Sequence, residues 1–229
     1  VRYRHKFLAQ IMAAVMLCVG GIWINDLHGF FGIHQIPAWA GMPLTILVVV
    51  LIINSINLID GIDGLASGIC ILGIGVYTLN FAEIGYNRYA LLGIATLGCL
   101  IPFYIFNVFG KPEKRTKVFM GDTGSLVIGY LMAFFAIRVS TLDGPAKEMP
   151  LYFVSSYSIL LVPVFDVVRV FCKRMLKGNN PFLPDKSHIH HKFLALGFGM
   201  RQARWLIFIV CITCYVMNMM LVKRGVNVT

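Results

Sequence analysis

"MPLTILVVVLIINSINLIDGIDGLASG", residues 42–68, is an apolar run that stops abruptly in an amide, two carboxylates and three glycines. Between Met42 and Leu58 no side chain ionises. A helix crosses a hydrocarbon core with about 17–25 such residues, and the run over 41–59 has that length. A second apolar run, 65–82, begins just after the Asp60–Gly64 break. The same pattern recurs at 7–24, 89–109, 122–140, 151–172 and 203–222, which gives seven predicted spans. Lipid leaves no unpaired backbone group satisfied, and these runs are too long for barrel strands, so each is read as a helix.

Composition agrees with that reading. The chain has 229 residues, 58% of them hydrophobic and 13% charged, with a mean hydropathy of +0.78. A soluble domain carries about 25% charged residues. The formal net charge of +10 does not indicate nucleic acid, because the basic residues occupy short segments between apolar runs rather than one folded face. Five of the six cysteines lie inside apolar runs and Cys172 ends one, a packing pattern rather than a disulfide or zinc framework. Cys211 and Cys214 have CxxC spacing without a partner pair. No internal repeat or linker divides the chain, so residues 1–229 read as one all-α, polytopic membrane domain.

Seven spans place 1–6, 60–64, 110–121 and 173–202 on one side. The other side receives 25–40, 83–88, 141–150 and the C-terminus. Arg88, Arg138, Lys147, Lys223 and Arg224 fall on the second side, and the remaining fifteen of the twenty Lys and Arg residues fall on the first. Cytoplasmic loops carry the excess of basic residues, so the first side is predicted to be cytoplasmic. Loop 25–40 on the other side, with Trp23, Phe30, Phe31 and Trp39 in or beside it, reads as an interfacial aromatic belt with little chemistry to offer.

The unusual polar stretches all fall on the predicted cytoplasmic side: "RYRHK" (2–6), "NLIDGIDG" (57–64), "KPEKRTKVFMGDTGS" (111–125) and "NNPFLPDKSHIHHK" (179–192). On a continuing helix, Asn57 and Asp60 share a face as i and i+3 neighbours and offer oxygens to a hard cation. Gly61 and Gly64 permit a turn and a close backbone approach, while Gly64 and Gly68 have the spacing of tight helix packing. The plainer reading is a polar turn in which Asp63 caps the following helix.

In "VFMGDTGS", Asp122 or Thr123 is an N-cap candidate, and Asp122 is equally a metal-ligand candidate. A helix start next to glycines and to Lys111, Lys114, Arg115 and Lys117 suits an anion. His188 and His191 share a helical face, with His190 pointing elsewhere. Zinc wants converging ligands that this stretch does not supply beyond Asp185, so hydrogen bonding to phosphate beside Lys186 and Lys192 fits better. Asp166 and Arg169, i and i+3 in the sixth span, read as a buried pair. Basic loops, imidazoles and a few hard oxygens together suit a diphosphate bound with Mg2+, which prefers few protein ligands and the substrate's own phosphates. A site at the headgroup level makes a phospholipid a natural second substrate.

These stretches resemble the polyprenyl-phosphate N-acetylhexosamine-1-phosphate transferase family. The matching segments are "RYRHKFL" (2–8), "NLIDGIDGLASG" (57–68), "VFMGDTGSLVIG" (118–129), "PVFDVVRV" (163–170) and "PFLPDKSHIHHKFLALG" (181–197). The His-rich form of the last resembles the bacterial branch, in particular the enzymes that begin O-antigen, teichoic acid or capsule assembly. The resemblance implies transfer of N-acetylhexosamine-1-phosphate, GlcNAc-1-phosphate first among the sugars, from a UDP-sugar to undecaprenyl phosphate, with release of UMP. It implies Mg2+, with Mn2+ as the alternative, a multi-pass location in the bacterial inner membrane, and a site on the cytoplasmic face.

By position, the resemblance makes Asn57 and Asp122 magnesium ligands and Lys6 a contact to the donor diphosphate. Asp60, Gly61 and Asp63 match the nucleotide loop, and Phe119 matches an aromatic against the uracil. His188, His190 and His191 match the loop that closes on the donor, with His188 and His191 joining Asp122 as catalytic candidates. The family has ten or eleven spans and an aspartate pair upstream of "RYRHK". This chain is therefore expected to lack three or four helices and to be inactive alone. Phospho-N-acetylmuramoyl-pentapeptide transfer is the alternative within enzymes, and an anion-binding transporter is the alternative outside them. The sugar, the pathway and the assembly, a homodimer included, stay open.

Overall fold

The computed structural model describes residues 3–142, 148–180 and 188–224. Arg2, Lys147, Asp185 and Lys186 of the sequence reading lie outside the described residues. Nine α-helices are described: α1 (Tyr3–Val19), α2 (Ala38–Ile59), α3 (Leu65–Ile84), α4 (Asn87–Phe109), α5 (Gly121–Ser140), α6 (Met149–Ser158), α7 (Leu161–Leu176), α8 (Ile189–Ala195) and α9 (Met200–Lys223). The chain is an all-helical, polytopic membrane bundle.

Among the described residues five helices are long and apolar enough to cross a membrane, namely α2, α3, α4, α5 and α9, and α6 with α7 makes a sixth if counted as one bent span. Seven were expected, and the differences lie in the sixth and the first predicted spans. The sixth predicted span, 151–172, is broken: α6 and α7 meet at 57°. Pro163 explains the break, because its ring clashes with the carbonyl four residues earlier, at Ile159, and has no N–H to donate to it.

The first predicted span is the other difference. Helix α1 has 17 residues and begins early enough to include Arg4 and Lys6. It nevertheless runs antiparallel along α2. Lys6 pairs with Asp122 at the start of α5, Gln10 exchanges hydrogen bonds with Asn54 (2.8 and 3.4 Å), and Cys18 lies 3.8 Å from the Met42 carbonyl. At 1.5 Å per residue its reach is roughly 25 Å, close to a hydrocarbon thickness.

The core is the seam of α2, α3 and α5, where Ile52, Ile53, Ile56, Ile69, Tyr77, Phe81, Met132 and Phe135 are fully enclosed. Helix α2 packs on α1 and α5, α3 packs on α4 and α5, and α6 packs on α9. Gly64 and Gly68 do not serve one tight crossing. A side chain at Gly64 would strike Val108 and Tyr104 of α4, and one at Gly68 would strike Phe208 of α9. The outward faces of α4 and α9 stay greasy, with Leu91, Ile94, Ile105, Ile209 and Met217 exposed as a lipid-facing surface requires. Several polar groups inside the bundle are paired: Tyr77 donates to the Ser156 carbonyl, Asn80 to Ser155 and Asn218 to Ser158. These contacts fix the short α6 against α3 and α9.

Candidate active site

One end of the bundle collects residues from five distant parts of the chain. Asp122 does not cap α5. The cap position is Met120, without a side-chain bond, and Asp122 lies one turn-step inside the helix. Its carboxylate is thereby free to face sideways, where Lys6 of α1 pairs with Oδ2 and Asn57 of α2 donates to Oδ1 at 3.3 Å. Asn57 also donates to Ser125 at 2.8 Å, and that hydroxyl donates back to the Gly121 carbonyl at 2.9 Å. The Asp122 side chain is 63% exposed, so this polar triad opens to solvent. Beside it runs a cavity of about 460 Å3 between α1, α2 and α5, walled by Ala9, Ala13, Ile53, Leu126 and Val127, with His5, Lys6 and Asp122 at its polar edge.

The loop after α2 is built around two neighbours. Gly64 turns the chain with φ of 78°, the left-handed region that favours glycine. Its N–H is taken by Asn107 Oδ1 of α4 at 2.6 Å, and Asn107 Nδ2 donates to the Val118 carbonyl at 2.8 Å. Asp63 does not cap α3, whose cap position is Gly64. Its carboxylate accepts from Lys117 at 2.6 Å, while its carbonyl accepts from Arg204 of α9 at 2.7 Å. Lys117 also donates to the Asn107 carbonyl and lies 5.7 Å from the Phe119 ring centre. Phe119 is 72% exposed, open on its other face to a flat ligand.

Asp60 ends α2 in a half-buried position. Burial, with the charges of Asp63 and Asp122 adding to it, pushes its carboxyl up to about 6. Gly61 is required by space: a Cβ there would lie 2.2 Å from His190 Nε2. The imidazole therefore rests directly on the loop backbone.

The histidines do not form one helical face. His188 is extended and precedes α8. It is buried, with Nδ1 2.9 Å from Asp166 Oδ2. His190 is buried against Gly61, its Nδ1 lacks a hydrogen-bond partner, and burial together with the neighbouring His191 and His188 lowers it to about 4. It is neutral at physiological pH. The His191 ring lies 4.2 Å from that of His190.

Asp166 is the hub of this region. It accepts from Arg169 at 2.6 Å and from the Ile189 N–H at 3.1 Å in addition to His188. The sequence reading has the Asp166–Arg169 pair but not its tie to the histidine segment, because residues 22 and 23 positions away leave no local spacing signal. Asn107, a single polar residue near the end of an apolar run, and Arg204, one of two arginines at the start of another, escaped sequence reasoning for the same reason.

Among the described residues no group of three or more His, Cys, Asp or Glu side chains is placed to hold a metal ion. Asp122 and an asparagine amide are residue types Mg2+ accepts, since that ion takes one or two protein oxygens and fills its shell with phosphate and water. Here Asn57 turns Nδ2 to the site, so the amide must rotate to offer its oxygen.

A membrane bundle with one charged mouth, where a lysine, a carboxylate and an amide converge beside an apolar groove, is the class of protein that fold and site define. The chain belongs to glycosyl transferase family 4, whose sequence model matches residues 1–140. It is 32% identical over 200 residues to an undecaprenyl-phosphate alpha-N-acetylglucosaminyl 1-phosphate transferase of Yersinia pestis, covering 87% of this chain and 53% of that protein. Identity to the Escherichia coli K12 protein of the same name is 34% over 202 residues, covering 86% and 54%. A probable undecaprenyl-phosphate N-acetylglucosaminyl 1-phosphate transferase of Bacillus subtilis is 36% identical over 215 residues, covering 90% and 55%. The chain thus spans about half the length of the curated relatives it matches.

Proposed function

We propose that this protein transfers GlcNAc-1-phosphate from UDP-GlcNAc to undecaprenyl phosphate at the cytoplasmic face of a bacterial inner membrane. The observation that carries the reading is the convergence of Lys6, Asn57 and Asp122 from three separate helices on one exposed point. The names of the relatives supply the substrates.

In this reading Asp122 and, with its amide rotated, Asn57 would hold Mg2+, which would supply charge neutralisation to the donor diphosphate. Lys6 orients that diphosphate, and Phe119 lies against the uracil. His190 and His191 close over the loop at Gly61, while His188 positions them through Asp166. The acceptor's isoprenoid tail follows the apolar groove, which brings its phosphate to the Lys6 edge. An oxygen of the lipid phosphate attacks the sugar-bearing phosphorus in line. The bond from that phosphorus to the bridging oxygen breaks, and UMP departs with it. Positioning and fixed charge carry the rate.

The test is formation of lipid-linked GlcNAc diphosphate and UMP in membranes expressing the protein. Asp122→Asn and Lys6→Ala are each expected to lower turnover by roughly 10²–10³, the scale of losing one preorganised electrostatic contact. Unchanged turnover in Asp122→Asn would sink the assignment, and preference for UDP-N-acetylmuramoyl-pentapeptide would change the donor.

A further inference from the structure

The other end of the bundle is not the featureless belt that its sequence suggests. The connection from α1 to α2 is a folded hairpin. Ile24 donates to Thr45 at 2.8 Å, Asp26 pairs with Gln35 across a β-bridge, and Leu27 donates to the His34 carbonyl at 3.1 Å. His28 is held at φ of 52°, with Nε2 2.9 Å from the Ser140 carbonyl at the end of α5 and its ring edge-on to Phe153 of α6. Between this hairpin and the α5–α6 ends lies a cavity of about 720 Å3, within the size range of small-molecule pockets.

Its lining is chemically specific. Trp23, Asn25, Asp26, His28, His34 and Gln35 contribute, and among the described residues neither lysine nor arginine does. The side chains of Asn25, His34 and Gln35 have no hydrogen-bond partner among the described residues. Amides and imidazoles each offer donor and acceptor capacity, which matches hydroxyl groups that also do both. The described lining has one carboxylate and no permanent cation, a poor seat for phosphate. The indole adds an apolar flank with a polar edge.

We propose that this pocket binds the uncharged, hydroxyl-rich ring of a sugar, separately from the Asp122 site. At this depth the sugar comes either from solution or as the headgroup of a glycolipid. The experiment uses the 229-residue chain in phosphatidylcholine nanodiscs with Trp39→Phe and Trp205→Phe, which leaves Trp23 as the only indole; both replaced residues are exposed. Methyl β-glucopyranoside, inorganic phosphate and ethanolamine are titrated separately, and a parallel series incorporates monoglucosyl diacylglycerol in the disc.

The expected result is a saturable change in Trp23 emission with the glycoside, the glycolipid or both. A response to the soluble glycoside assigns the sugar to solution, and a response confined to the glycolipid assigns it to a headgroup. The apparent Kd should rise at least tenfold in Asn25→Ala/Gln35→Ala and separately in His34→Ala, all at exposed positions, and should not move in Asp122→Asn. No saturable response to either glycoside overturns the proposal. An equal response in both variants, or a response to phosphate or ethanolamine instead, does the same.

Discussion

Gly61 and Asp60 are adjacent, and each constrains the site through what surrounds it. A methyl group at Gly61 would meet His190 Nε2 at 2.2 Å, so Gly61→Ala must displace an imidazole enclosed on its other sides. Overpacking of this kind costs about 1–3 kcal/mol. The expected outcome is a lower melting temperature with faster amide exchange confined to residues 189–195; exchange there at the wild-type rate would mean the ring has another seat. Asp60 adds a pH dependence. Its carboxyl is raised to about 6 from an ordinary value near 4, so between those values the folded chain keeps a proton that the unfolded chain has lost. Stability therefore gains as pH falls from 6 to 4 and is smaller at pH 8. Asp60→Asn should raise the melting temperature at pH 8 and leave it nearly unchanged at pH 4, as differential scanning fluorimetry in detergent would read. Equal gains at both pH values would show that burial and the neighbouring charges do not act on this carboxyl.

Helix α8 shows why elements were less legible than residues. Seven residues cannot hold a helix alone, and the histidines in it carry no apolar period to fix a face. Its position comes from Asp166, whose carboxylate takes the Ile189 N–H and His188 together at the helix start. Removing one partner of a buried charged cluster costs roughly 3–5 kcal/mol. Asp166→Ala is thus expected to release α8, seen as loss of exchange protection over 189–195, while the α2–α5 core keeps its own. Protection lost equally in both places would mean that Asp166 supports the whole bundle. The breaks and caps were harder still to read. Pro163 was visible in the sequence, but whether a proline kinks or merely begins a helix depends on the carbonyl it meets. Asp63 and Asp122 read as caps because each precedes an apolar run; the structure gives their side chains to lysines at distant positions instead.

At the scale of the molecule, alternation of apolar runs and basic segments was enough to bring the right loops together. Residues 6, 57–64, 107–122 and 188–204 do meet at one end, through the pairs Lys6–Asp122, Asp63–Lys117 and Arg204–Asp63. What alternation left out was the content of the other end, because the hairpin at 23–36 owes its shape to backbone pairing and to His28 reaching Ser140. The two ends make a joint prediction about the membrane. With the exposed Cys99 and Cys172 and the half-buried Cys214 replaced by serine, the remaining Cys18, Cys70 and Cys211 are all buried. Single cysteines are then placed at Phe119, on the charged mouth, and at His34, on the hairpin. A membrane-impermeant maleimide should label Phe119→Cys only in inverted vesicles, where the cytoplasmic side faces out, and His34→Cys only in right-side-out ones. Labelling of both from one side would contradict a bundle that spans the bilayer between them. The reverse pair would keep the bundle but place the transferase site on the outer face, out of reach of cytoplasmic UDP-sugar.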